Sequence, residues 1–173
     1  MKKNKGFSMV ELIIVIAIMA ILAGALAPAL IKYINKSRIS TDIQTGQTIA
    51  TAIQTALANE KGFDCASDQK WQGSKSIDDV WATTNANDTF AQMVKDTVGG
   101  AKAPTVKSKN CVATGTLTGG NGKTGGKFYF AVKPKDNEVF VYIGDSSGTL
   151  HQVYPTADNC LSDDTTSTCD GKH

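Results

Sequence analysis

The chain has 173 residues, 41% of them apolar, and 18 Lys+Arg against 16 Asp+Glu give a net charge of +2. So small a net charge leaves no basic footprint for a nucleic-acid partner. The chain has no low-complexity block and no 20–50-residue repeat, which argues against disorder and against a solenoid. Four cysteines are present and none lies in a CxxC pair, against zinc ribbons and thioredoxin-like redox sites. An even number so spaced fits two disulfides and an oxidising, extracytoplasmic compartment.

The charge is unevenly placed. Lys2, Lys3 and Lys5 form a basic tip, and residues 12–31 carry no charge at all. Twenty apolar residues make a helix of roughly 30 Å, the thickness of a bilayer's hydrocarbon core. The basic tip is expected on the cytoplasmic side and the remainder outside. A cleaved secretory signal is one alternative, since Ala25-Leu26-Ala27 has the form of a cleavage site. Pro28 directly after it and Glu11 at the start of the apolar region count against that. A plain uncleaved anchor leaves Glu11 unexplained.

The segment Lys5-Gly6-Phe7-Ser8-Met9-Val10-Glu11 resembles the class III leader junction of type IV prepilins. The resemblance runs across residues 5–38, through Pro28 to Lys32-Tyr33-Ile34-Asn35-Lys36-Ser37-Arg38, and looks closest to Gram-positive, type IVa-like pilins. It implies cleavage between Gly6 and Phe7 by a prepilin peptidase and N-methylation of the new terminus at Phe7. Counted from Phe7, Glu11 is fifth and Pro28 twenty-second, the two positions the family requires.

Elementary chemistry agrees with that junction. A carboxylate at the edge of a membrane segment is costly and needs a partner. Cleavage creates one, because an α-amino group with a reference pKa of about 8 is largely protonated near neutrality. Phe7 and Glu11 are four residues apart on one helix, so the same chain's amine can satisfy Glu11, as can the helix dipole. The family implies instead that Glu11 recruits the amine of a neighbouring subunit, making Phe7 and Glu11 assembly residues. Pro28 costs a helix interior about 3 kcal/mol, and Gly24 one turn earlier weakens the same stretch. These two residues mark a weak point in the helix.

The helix is expected to continue for about fifty residues, its first half apolar all round and its second amphipathic. Ile39, Ile43, Ala50, Ile53 and Leu57 form one apolar stripe. Lys36, Asp42, Gln47 and Gln54 are expected to face elsewhere, with Gly62 as a stop signal. Residues 61–108 read as a connecting region with a short helix around Phe90, Met93, Val94 and Val98. Asp88 is its N-cap and Gly99-Gly100 its stop. Ile77, Val80 and Trp81 suggest a further turn, and Trp71 and Trp81 read as packing residues.

Residues 127–133, 138–143 and 149–154 are β-branched and aromatic and read as strands, with an earlier strand near 111–117. Residues 134–137 and 145–148 supply turns. The glycine-rich loop at 119–126 lacks the spacing of a phosphate-binding loop. The fold class is therefore α+β: a long N-terminal helix packed against a three- to four-stranded antiparallel sheet. Four cysteines allow three pairings. Cys65–Cys111 and Cys160–Cys169 are favoured, the second closing a C-terminal loop as in many type IV pilins.

No catalytic spacing stands out. His151 reads as a surface strand residue, and the acidic tail Asp158, Asp163, Asp164 and Asp170 as a solvated loop rather than a calcium site. Neither a cofactor, a metal nor an enzymatic activity is expected. Three segments follow: a leader at 1–6, a transmembrane and filament-core half-helix at 7–32, and an extracellular head at 33–173. The resemblance implies a structural subunit of a type IV pilus, stored in the cytoplasmic membrane and then polymerised into a surface fibre. Its partners would be further pilin subunits, the prepilin peptidase, and a platform and ATPase machinery. Adhesion, twitching motility, aggregation and DNA uptake are the roles open to such a fibre, through surface ligands the sequence does not name. The main alternative is a pseudopilin of a type II secretion system, which shares the whole N-terminus. A single-span membrane-anchored binding protein is a third.

Overall fold

The computed structural model describes residues 8–67, 69–71, 73–108, 126–144 and 150–157. Helix α1 spans Met9–Leu57 and contains Pro28. The chain divides into two units, Met1–Asn35 and Lys36–His173. In the first, no residue from 8 to 35 is buried, and Leu12, Ile16, Met19, Leu22, Leu26 and Leu30 are all more than half exposed.

The second unit is built on the amphipathic end of α1. Ile49, Ala50, Ile53, Ala56 and Leu57 are buried, with Ile39 and Ile43 packed against the same core. That is the stripe expected from helical periodicity. Asp42 departs from it. Rather than facing solvent it is 1% exposed. It lies three residues from Ile39 and four from Gly46, and therefore on the buried face. Its Oδ1 accepts the backbone N–H of Lys107 at 2.8 Å and its Oδ2 that of Ser108 at 2.7 Å. Two charge-assisted bonds repay the desolvation of a carboxylate that would otherwise stay in water.

Gly62 does not stop a helix. Helix α2, Glu60–Ser67, contains it. The side chain of Asn59 accepts from the N–H groups of Lys61 (3.1 Å) and Gly62 (3.3 Å), capping α2 directly after α1 ends. A Cβ at Gly62 would collide with the carbonyl oxygen of Ala56, so the glycine serves the close approach of α2 to the end of α1.

Beyond a 3-10 turn at Gln69–Trp71 comes β1, Ser74–Ser76, a strand absent from the sequence reading. Helix α3 covers Ile77–Ala82 and α4 covers Thr89–Val98. Ser76 and Asp79 close a capping box on α3. Asp88 caps α4 by accepting from Ala91 N–H at 3.0 Å. Gly99, at φ 76°, ends α4 in a conformation that side chains other than glycine's resist. Both α4 boundaries agree with the sequence reading, as does the turn around Ile77.

Strands β2 (Phe128–Lys133), β3 (Glu138–Gly144) and β4 (Leu150–Tyr154) follow. The sheet is antiparallel in the order β1-β2-β3-β4. Phe130 faces Val141 and Val132 faces Val139 across the β2–β3 pair, all four buried. β4 shifts register at Val141/Tyr142. Gly46 lets α1 sit close against this region, since a Cβ there would lie 2.5 Å from Val153 Cγ1. Gln54 Nε2 donates to the Tyr154 hydroxyl at 3.0 Å, a second tie between α1 and β4. His151 is 7% exposed rather than at the surface, because β4 turns it inward beside Ile143.

Trp71, Phe90 and Phe130 form an aromatic cluster with centroids 5.4–6.2 Å apart. Trp71 is 1% exposed and Trp81 half-buried against the core, as packing residues should be. Burying side chains of this size stabilises by roughly 1.5–3 kcal/mol each.

Candidate assembly segment at the N-terminal helix

The first turn of α1 shows how the chain treats Glu11 before any partner is present. Ser8 N–H donates to Glu11 Oε2 at 2.9 Å, and Leu12 N–H donates to Ser8 O at 3.2 Å. With Ser8 at the N-cap position, Glu11 is the third helical residue, so this bond is one half of a capping box. It satisfies an otherwise orphaned amide and sets a negative charge where the helix dipole favours it. Glu11 remains exposed, and no other basic or polar side chain of the described residues bonds it. Its carboxylate has acceptor capacity left for a cation brought from outside.

Around this carboxylate the surface is apolar on every side. Ile13, Ile14, Val15, Ile18, Ile21 and Ile31 are each more than 40% exposed, and α1 is long and apolar enough to cross a membrane. A contiguous apolar patch on this scale marks a surface meant for lipid or for other protein. Pro28 lies within the helix, and a Cβ at Gly24 would meet nothing within 4 Å. Gly24 thus supplies no packing and only weakens local helix propensity.

Gly6 and Phe7, the cleavage and methylation positions, lie outside the described residues. So do Cys111, Cys160 and Cys169, and with them the Cys160–Cys169 pairing and the strand near 111–117. Cys65 is half-buried, its Sγ 3.8 Å from Asn87 O, and its expected bond to Cys111 likewise lies outside the described residues. Among the described residues no group of three or more His, Cys, Asp or Glu is placed to hold a metal.

Residues 1–27 match the family model described as the prokaryotic N-terminal methylation motif. The type IV major fimbrial protein FimA of Dichelobacter nodosus is 45% identical over 64 residues, 36% of this chain and 40% of that protein. The type IV major alpha-pilin of Moraxella bovis is 46% identical over 64 residues, 35% of this chain and 38% of its own. The N-terminal part of the chain is similar to type IV pilins. The fimbrial protein of Moraxella nonliquefaciens extends the similarity to 78 residues at 35% identity, 45% of this chain and 49% of that one. The chain thus spans less than half the length of these pilin relatives. No solved structure matches it.

The sequence motif and the geometry meet on one segment: a methylation motif at 1–27 and an exposed apolar helix from Met9 onward. Among the residues that the sequence reading misplaced, Asp42 has the most consequence. Its position on the apolar face was the available signal, overridden by its charge.

Proposed function

We propose that this chain is a structural subunit of a type IV pilus, cut after Gly6, methylated at Phe7 and polymerised through residues 7–32. One observation carries the reading. A helix more than twenty residues long exposes apolar side chains all round, on both sides of a carboxylate at Glu11. Exposed apolar area costs about 25 cal/mol per Å² relative to burial, so the segment belongs in lipid before assembly and against like helices afterwards. The match to the methylation motif and the pilin relatives support the same conclusion.

In this account Glu11 exchanges partners. In the isolated chain it holds the Ser8 N–H at 2.9 Å. In the fibre its free acceptor sites take the protonated α-amine of a neighbouring Phe7. Inside an apolar bundle that ion pair is poorly screened, and an unmatched Glu11 is penalised by desolvation. The carboxylate therefore selects the register in which a subunit docks. Gly24 and Pro28 supply a stretch that can extend as the helices pack. The role is structural rather than catalytic, and the precursor's partners are the membrane, a prepilin peptidase and the assembly machinery. Residues 33–173 form the outward-facing part, through which the fibre would adhere, aggregate cells or support motility.

Glu11→Ala tests this directly. Its Ser8 bond is local and exposed, so residues 36–157 should keep their fold and circular dichroism. Fibres sheared from cells carrying only this variant should fall at least tenfold while the membrane pool is retained. Wild-type fibre yield from Glu11→Ala would remove Glu11 from the assembly account.

A further inference from the structure

An open cleft of about 590 Å³ lies in the second unit, lined by Lys70, Lys75, Asp79, Thr83, Thr84 and Asn85 over Trp71. Its walls are unequal in what they have left to offer. Lys70 Nζ is engaged by Asp88 Oδ2 at 2.8 Å and Thr83 Oγ1 at 3.1 Å and lies 4.7 Å from the Trp71 ring centroid. Trp71 Nε1 donates to the same Asp88 oxygen at 3.2 Å, so this corner of the floor is fixed. Lys75 on β1 is half-buried and has no acid within ion-pairing distance among the described residues. Asn85 Oδ1 accepts from Asn87 N–H at 3.0 Å, leaving its amide NH₂ to donate. Among the described residues no partner engages the exposed Thr84 hydroxyl, and Asp79 accepts only from Ser76 N–H at 3.1 Å, leaving acceptor capacity.

We infer that this cleft binds a carboxylate-bearing carbohydrate of the uronic-acid class. The volume lies in the range of small-ligand sites. Lys75 is an unmatched cation that calls for an anion, and a neutral sugar would leave it unmatched. Asp79 on the same wall disfavours a dianion such as phosphate by like-charge repulsion. A monoanionic carboxylate at Lys75 meets about half that repulsion and leaves Asp79 to accept from sugar hydroxyls. Thr84 and Asn85 are placed to donate to hydroxyl oxygens. A wide, open cleft also suits a ligand that keeps much of its hydration. The inference stands apart from polymerisation, because every residue involved belongs to one chain and none lies in residues 7–32.

The test uses the full chain in detergent, in a Trp81→Phe background so that Trp71 alone reports. Galacturonate, a monoanion, should change Trp71 fluorescence saturably, with an affinity that weakens as salt screens the lysine. Lys75→Gln should weaken binding about tenfold, the size of one lost charge-assisted hydrogen bond. Thr84→Ala, at an exposed position that carries no fold contact, should weaken it about threefold. Galactose, with the same hydroxyl character and no carboxylate, should give no saturable change. The inference is overturned by the absence of a saturable response to millimolar galacturonate. An equal response to galactose overturns it too, as does unchanged affinity in both Lys75→Gln and Thr84→Ala.

Discussion

The carboxylate of Asp42 receives the backbone N–H of Ser108 at 2.7 Å, with the neighbouring Lys107 N–H on its other oxygen at 2.8 Å. A residue in the middle of α1 thereby fixes a segment 65 residues further along. That segment also bridges to the sheet through Thr105 and Lys127, so Asp42 helps to bind helix, crossover and sheet into one body.

Asp42→Ala should therefore be among the most damaging single changes in the second unit. Two hydrogen bonds to a charged acceptor vanish and one buried amide is orphaned, a loss of roughly 2–4 kcal/mol. Asp42→Asn keeps one acceptor oxygen and should lose about half as much. Thermal unfolding of the three proteins in the same detergent gives the ranking wild type, Asn, Ala. Equal midpoints for Ala and wild type would mean that the 105–108 segment is held by something else.

Gly46 and Val153 set how closely α1 lies on the sheet. A Cβ at Gly46 would stand 2.5 Å from Val153 Cγ1 and 3.2 Å from Val153 Cβ. Overpacking costs about 1–3 kcal/mol, while Ala gains about 1 kcal/mol over Gly in a helix. The steric cost wins, so Gly46→Ala should destabilise. Pairing it with Val153→Ala removes the opposing methyl groups. The double variant should be less destabilised than the sum of the two single changes, a non-additivity that a double-mutant cycle reads directly.

Much of this architecture is legible in local sequence. Asp88 followed by the Phe90, Met93, Val94, Val98 spacing and by Gly99 specifies α4 within the ten residues it occupies. The alternating aromatic runs specify β2 and β3 in the same way. What escapes is set by chain neighbours distant in sequence. Asp42 looks like a solvent residue because the amides that justify its burial belong to residues 107 and 108. Gly62 looks like a terminator, but it is glycine because the Ala56 carbonyl stands in the way of a Cβ. β1 is three polar residues with no alternation to read, and exists because β2 offers it a free edge. His151 shares its strand face with the buried Val153, a local mark that its polarity masks. Of the assembly segment, Glu11 and the apolar run are legible directly, whereas the Ser8 bond needs the backbone to be placed.

Alkaline pH should loosen the contact between α3 and the sheet. Lys127 and Asp78 approach to 2.6 Å. The hydrogen bond that Lys127 donates to Asp78 lifts the Lys127 pKa above its usual 10.5, against a smaller opposing effect of burial. A raised folded-state value means that the pair's contribution is complete below pH 10.5 and is lost as pH climbs through the folded value. Both side chains are more than a third exposed, which limits the contribution to at most about 1 kcal/mol. Lys127→Met should show a small, constant deficit in stability from pH 7 to 10 that closes at higher pH. A deficit that widens with pH would contradict this sign.

The central claim is that the chain is cut between Gly6 and Phe7 and leaves the membrane as part of a fibre. The most direct measurement is the mass of the N-terminal peptide in material sheared from the cell surface. The account predicts a peptide beginning at methylated Phe7, absent from sheared material when Gly6→Val is the only copy expressed. A peptide beginning at Met1 or Pro28 would mean an anchored or secreted protein instead, and would contradict the pilus subunit outright.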